Sequence, residues 1–157
     1  GVGLLVPWLS AYAQSGHLSS PWYLWVLPGL FLFALSSAVA SGLSDEESDR
    51  RAGKRTLTVA LGNDVARRTA EYAAFGGLVA WLIAVRMSGG AFPIVPAQAA
   101  LVAAAVPWRN LIRESPHALT NRFKSQARYK SALHQLVWGA TLVLALGLVI
   151  TRWLGWA

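Results

Sequence analysis

The chain has no cysteine and one methionine, and Asp, Glu, Lys and Arg together make up only 13% of its 157 residues. Without cysteine there are no disulfides and no thiolate metal sites, and the redox compartment cannot be read. A soluble domain of this length carries about 25% charged residues. The shortfall, beside 55% hydrophobic residues and a mean hydropathy of +0.43, argues against an ordinary water-soluble core. Acid is scarcest of all. None precedes residue 45, four acids crowd into 45–49, and the other three, Asp64, Glu71 and Glu114, are isolated. The three histidines, His17, His117 and His134, share no metal-ligand spacing.

The uncharged stretches are long enough for lipid. Residues 22–43 carry no charge, and at 1.5 Å rise per residue they reach roughly 33 Å, the thickness of a hydrocarbon core. Residues 132–151 are equally apolar, with His134 and Gln135 as their strongly polar members. Two shorter spans lie between, 72–85, extended back to Asn63 as a proposed N-cap, and 94–108, rich in alanine. Residues 2–13 read as the end of a partial first helix. The punctuation at 15–21 and 87–96, with Gly89, Gly90, Pro93 and Pro96, marks the turns. The helices are apolar nearly all round, as lipid or bundle burial requires. The expected fold is an all-α polytopic transmembrane bundle of four complete spans plus the partial helix. No basic segment precedes the apolar opening at Gly1, so the chain is read as beginning inside a longer protein.

The basic residues set the orientation. Of 14 Lys and Arg, six lie in 50–68 and six in 109–130, leaving only Arg86 and Arg152 at the opposite helix ends. The positive-inside rule therefore puts loops 44–71 and 109–130 on the cytoplasmic face of a multi-pass protein, in the cell membrane if the source is bacterial. Trp8, Trp22, Trp25, Trp108 and Trp153 fall near helix ends, where an aromatic belt belongs, and Trp81 and Trp138 are read as packing residues. The net charge of +7 is not a sign of nucleic acid, because the cations flank apolar spans and no recognition motif is present. Lipid headgroups are the expected counter-charge, above all for the basic loop 113–130, with closure of that loop over a phosphorylated donor as the alternative.

The chemistry concentrates in 45–55, directly after the first clean span. If that helix continues past the membrane edge, residues four apart share a face. Glu46 then pairs with Arg50, and Glu47 with Arg51. Asp45 and Asp49 instead stack as like charges, which is unfavourable unless a cation bridges them. Mg2+ suits such a seat, because it binds through one or two carboxylates and completes its shell with waters and phosphate oxygens. Beyond the helix stop at Gly53, Lys54 and Arg55 are suited to the outer oxygens of a diphosphate. The segment fits departure of a diphosphate from a substrate whose hydrocarbon part lies in the membrane.

The longer string 45–62 resembles the second aspartate-rich motif of the UbiA superfamily of intramembrane prenyltransferases. Menaquinone-type members read D-x-x-x-D-x-x-x-G-K-R-T-L-x-V-x-L-G there. Asp45, Asp49, Gly53, Lys54, Arg55, Thr56, Leu57, Val59, Leu61 and Gly62 fill every fixed position. The layout agrees too, since three helices follow this motif in the family and three spans follow it here. The resemblance implies that residues 1–157 form the C-terminal part of such a domain. It also implies Mg2+-dependent transfer of a prenyl group from an isoprenyl diphosphate to a lipophilic, commonly aromatic, acceptor within the membrane. Asp45 and Asp49 become the catalytic metal-binding pair, and Lys54 and Arg55 the diphosphate contacts.

Two departures bound the resemblance. Ser41, Gly42 and Ser44 replace the asparagines and arginine that menaquinone-type members carry before the first aspartate, so a menaquinone acceptor is not supported. The family's first aspartate-rich motif does not occur in the 157 residues. The expected partners therefore include the missing N-terminal half of the same protein. The alternative is a non-enzymatic membrane protein, such as a transporter fragment, whose acidic and basic run is a solvated loop.

Overall fold

The computed structural model describes residues 22–87, 94–119 and 123–154, and all regular structure among them is helical. A long helix α1 (Trp22–Ser44) leads into two short ones, α2 (Glu46–Arg51) and α3 (Leu57–Leu61). Then come α4 (Asn63–Met87), α5 (Ile94–Glu114), a 3-10 turn over Ser115–Leu119, and α6 (Phe123–Trp153). The four long helices cover the four stretches expected to span. Two of them, over Val26–Ser44 and Asn63–Met87, are long and apolar enough to cross a membrane. The partial helix at 2–13, Trp8, His17 and the turn residues Gly89, Gly90 and Pro93 lie outside the described residues.

Apolar side chains fill the interior, Leu30, Phe33, Leu133 and Leu136 among them, and also cover much of the outside. Small residues fill much of the interior, among them Ala70, Ala74, Ala100, Ala104 and Ala140. Large aliphatic side chains face outward, with Val102 74% exposed on α5 and Leu142 59% exposed on α6. Exposed apolar area on this scale calls for a nonaqueous neighbour, and small residues let helices approach closely where lipid offers no hydrophobic drive.

α1 and α4 run antiparallel. Ser36 Oγ donates to the Ala70 carbonyl at 2.7 Å, and further along the pair Phe33 meets Trp81 edge-on, centroids 4.9 Å apart. The two backbones approach closely at Gly29 and Gly77. A Cβ on Gly77 would lie 2.7 Å from the Phe33 ring, and one on Gly29 would lie 2.4 Å from Trp81 Cδ1. Gly77→Leu is therefore expected to cost about 1–3 kcal/mol by overpacking, read as a lower unfolding midpoint in detergent. An unchanged midpoint would show that the helices part there freely. α5 and α6 form the second antiparallel pair, with Pro96 seated beside Gly147. α6 is tied to the first pair by Ser37 and His134, 3.1 Å apart, and by Tyr129, whose hydroxyl donates to the Arg67 carbonyl at 3.2 Å.

Two local expectations need correcting. α1 does not continue through the acidic segment. It ends at Ser44, and Asp45, at φ −102° and ψ 3°, joins it to a separate helix. The Ser44 hydroxyl turns back on the Ser41 carbonyl at 2.9 Å, one of the local bonds by which serine competes with helix continuation. Nor does the Asn63 side chain cap α4. The Gly62 carbonyl accepts the opening bond from Ala66 N–H at 3.1 Å, and Asn63 is already the first helical residue. Its buried amide atoms meet no partner among the described residues.

Candidate functional site

The corner between α1 and α3 is built by one glycine. α2 ends at Arg51 with Ala52 as its C-cap, and Gly53 takes φ +69°, the left-handed region that costs a residue with a Cβ about 1–2 kcal/mol. The Gly53 N–H donates to the Arg50 carbonyl at 3.2 Å, and the Lys54 N–H to the Asp49 carbonyl at 2.9 Å. This is a Schellman closure, in which the chain folds back over the last helical turn. It carries the Lys54 side chain onto Asp49 as well, with Nζ 2.9 Å from Oδ1. After the corner, Thr56 caps α3 by accepting from the Val59 N–H.

The four predicted side chains occupy distinct environments. Asp49 is buried, with 6% exposure. Asp45 is exposed; its carbonyl accepts the Asp49 N–H at 2.8 Å, and its Oδ1 lies 3.3 Å from the Ser44 hydroxyl. Lys54 is exposed at the corner. Its hydrogen bond to Asp49, then the charge of Asp49 and that of Asp45, hold its pKa above the usual lysine value, so it is a full cation at neutral pH. Arg55 is exposed and forms no ion pair with a described residue. The repulsion anticipated between the two aspartates is thus relieved by a cation from the chain itself. The ammonium bonds to Asp49 and feels the charge of Asp45, and among the described residues no group of three His, Asp or Glu side chains is placed to hold a metal ion. Glu46 and Glu47 pair with Arg50 and Arg51 as their spacing required.

A cleft of about 560 Å3 opens beside this corner. Its wall on α1 is Ser44, and α6 supplies Phe123, Ala127, Lys130, Ser131, His134, Gln135 and Trp138. Asp45 and Asp49 do not line it, although Asp45 is the next residue after its wall. Lys130 makes no ion pair with a described residue, so its cation faces the cleft without a countercharge from the described residues. The placement of α6 along the cleft was not legible in the sequence, which points Lys130 to lipid phosphates or to closure over a donor diphosphate and His134 to no function. The signal was the 130, 131, 134, 135, 138 stripe of polar and aromatic residues, one helical face on an otherwise apolar span.

Behind the corner lies a second charged group. Arg67, 9% exposed, pairs with Asp64 at 2.9 Å and with Glu71 at 3.0 Å, and also donates to the Ser115 hydroxyl of the 3-10 turn. With Tyr129 on the Arg67 carbonyl, these contacts fix the start of α6 against α4.

The fold is a helical bundle in which two helices are long and apolar enough to cross a membrane, and the Asp49–Lys54 corner follows the first of them, beside a cleft. The sequence model of the UbiA prenyltransferase family matches residues 1–132, and the chain belongs to that family of integral membrane prenyltransferases. Among curated proteins and among solved structures, nothing matches the chain.

Proposed function

We propose that this chain supplies the second aspartate-rich half of a Mg2+-dependent prenyl-transfer site. In this reading Asp45 and Asp49 hold the metal, and Lys54, Arg55 and Lys130 take the outer oxygens of an isoprenyl diphosphate. The observation that carries it is the buried Asp49, held by the Lys54 ammonium at 2.9 Å next to the exposed Asp45. A merely solvated loop gives no reason to bury a carboxylate, which is tolerated here because Lys54 pairs with it. Mg2+, when bound, supplies charge neutralisation to the departing diphosphate. Lys54 can exchange its hold on Asp49 for a diphosphate oxygen without leaving the corner. The allylic C–O bond breaks with its electron pair on the diphosphate. The resulting carbocation is attacked by a lipophilic, aromatic acceptor, which then loses a proton.

The membrane arrangement belongs to the same proposal. All four long helices span, giving a multi-pass protein with loops 44–71 and 109–130 on the cytoplasmic side. The twelve-to-two distribution of Lys and Arg supports this. The diphosphate then stays in water while the prenyl chain lies in lipid. Residues 1–157 form the C-terminal part of the domain, and a further acidic motif from an N-terminal half completes the metal seat. The test is binding of geranylgeranyl diphosphate by the full-length natural protein in proteoliposomes while Mg2+ is titrated. Affinity should rise with Mg2+ and collapse on addition of EDTA. Binding indifferent to the metal overturns the reading.

A further inference from the structure

The two halves of the chain balance their charges differently. Residues 45–71 carry six acids and six Lys and Arg, and five of those cations, Arg50, Arg51, Lys54, Arg67 and Arg68, pair with the acids. Residues 94–154 carry seven Lys and Arg against one acid, Glu114. Glu114 lies 3.6 Å from Arg113, its chain neighbour, and Arg109 makes no ion pair with a described residue. Both arginines are exposed, one helical turn apart, and neither lines the cleft. They end a continuous outward face of α5. Val95, Ala99, Val102, Val106, Arg109 and Arg113 follow one another at helical spacing, and all six are exposed. The opposite face, with Ala97, Ala100, Ala104 and Leu111, is buried in the bundle. From Val95 to Val106 the helix rises about 16 Å, roughly half of a hydrocarbon core and so the depth of one leaflet. Trp108, tilted against Phe75 of α4 with centroids 5.8 Å apart, falls between the apolar stretch and the arginines, where an interfacial ring belongs.

We propose that this face of α5 is a binding site for one anionic phospholipid of the surrounding bilayer, its phosphate on Arg109 and Arg113 and an acyl chain along Val106, Val102 and Val95. Charge complementarity selects the occupant. A guanidinium presents a planar fork of donors that matches a phosphate, and among the described residues these two lack an acid from any other helix. A zwitterionic lipid brings its own cation to the same place and gains less from them. A second copy docked on this face through a twofold axis would bring four arginines together, a juxtaposition of like charges that opposes docking. The site uses no residue of the corner or the cleft, so it goes beyond the prenyl-transfer reading and stands apart from it.

The probes are dioleoylphosphatidylglycerol and dioleoylphosphatidylcholine, titrated singly into the full-length natural protein in detergent, with bound lipids counted by native mass spectrometry. Each arginine near a membrane surface favours an anionic lipid by roughly fivefold. The first phosphatidylglycerol should therefore bind at least about tenfold more tightly than the first phosphatidylcholine. Arg109→Gln with Arg113→Gln should abolish that preference. Lys124→Gln with Arg128→Gln removes the same charge from exposed positions on α6 and should leave the preference intact. Equal losses in the two double variants would mean diffuse attraction to a basic surface and overturn the site. sn-Glycerol 3-phosphate at the same concentration should not displace the lipid, and displacement would overturn the apolar part of the contact. A parent without the preference overturns the inference, and so does a parent that forms a lipid-free dimer, because protein then covers the face. If the double glutamine variant does not accumulate, Arg109→Gln alone carries the comparison and should lose about half of the preference on a logarithmic scale. Geranylgeranyl diphosphate binding with Mg2+ should stay at the parent level in every variant. Metal-independent donor binding would instead sink the prenyl-transfer reading and leave the lipid ratio standing.

Discussion

Asp49→Asn is expected to lower prenyl-transfer turnover by at least about a hundredfold while leaving the bundle folded. The substitution keeps the shape of the side chain and one carbonyl oxygen, so Lys54 retains an acceptor at the Schellman corner. What it removes is the negative charge at the buried end of the proposed metal seat. A metal acting on a leaving diphosphate is worth several kcal/mol of transition-state stabilisation, and each 1.36 kcal/mol is a factor of ten in rate. A seat deprived of one of its two carboxylates in this chain should forfeit most of that. Asp45→Asn should do the same to turnover, and because Asp45 is exposed it should leave stability untouched. Glu47→Gln is the control. It removes the same charge two residues away from a solvent-facing pair with Arg51, whose worth is under about 1 kcal/mol. Turnover and Mg2+ dependence measured side by side decide the matter. An Asp49→Asn protein within threefold of the parent would mean that the metal is held elsewhere.

The parts of this site that were legible in the sequence are those fixed by neighbours along the chain. Spacing alone paired Glu46 with Arg50 and Glu47 with Arg51, and the helix stop at Gly53 is where the backbone turns left-handed. The break at Asp45 was hidden because it depends on how the Ser44 hydroxyl and backbone settle at the end of α1, a local competition that periodicity does not register. The Lys54 to Asp49 bond spans five residues. Counting by helical turns misses it, since it exists only once the glycine has folded the chain back. The cleft was beyond reach for another reason. Ser37 and His134 are 97 residues apart, and nothing in either local sequence says that α1 and α6 meet. A helix that is apolar nearly all round gives no moment from which to choose its buried face. The polar stripe on α6 could have been noticed, but its direction is a property of packing.

Arg67→Met is expected to destabilise the protein by about 3 kcal/mol or more, and a second substitution should recover much of that loss. The guanidinium is 9% exposed and holds Asp64, Glu71 and the Ser115 hydroxyl together where α4, the 3-10 turn and α6 converge. Breaking a buried pair by removing one partner typically costs about 3–5 kcal/mol, because the surviving charge is stranded. Here the stranded group is Glu71, whose side chain is 15% exposed. Glu71→Gln in the Arg67→Met background removes that charge, so the double variant should unfold at a higher temperature than the single one. The coupling can be read as a double-mutant cycle in detergent. Turnover should follow a different course. Without Arg67 the 3-10 turn loses its anchor on α4, and the wall carrying Lys130 and His134 is free to shift from the acidic corner. The double variant should therefore regain stability without regaining activity. If activity returns in step with the unfolding midpoint, the Arg67 cluster serves the fold alone, and the spacing between the acidic corner and α6 is set by the helices themselves.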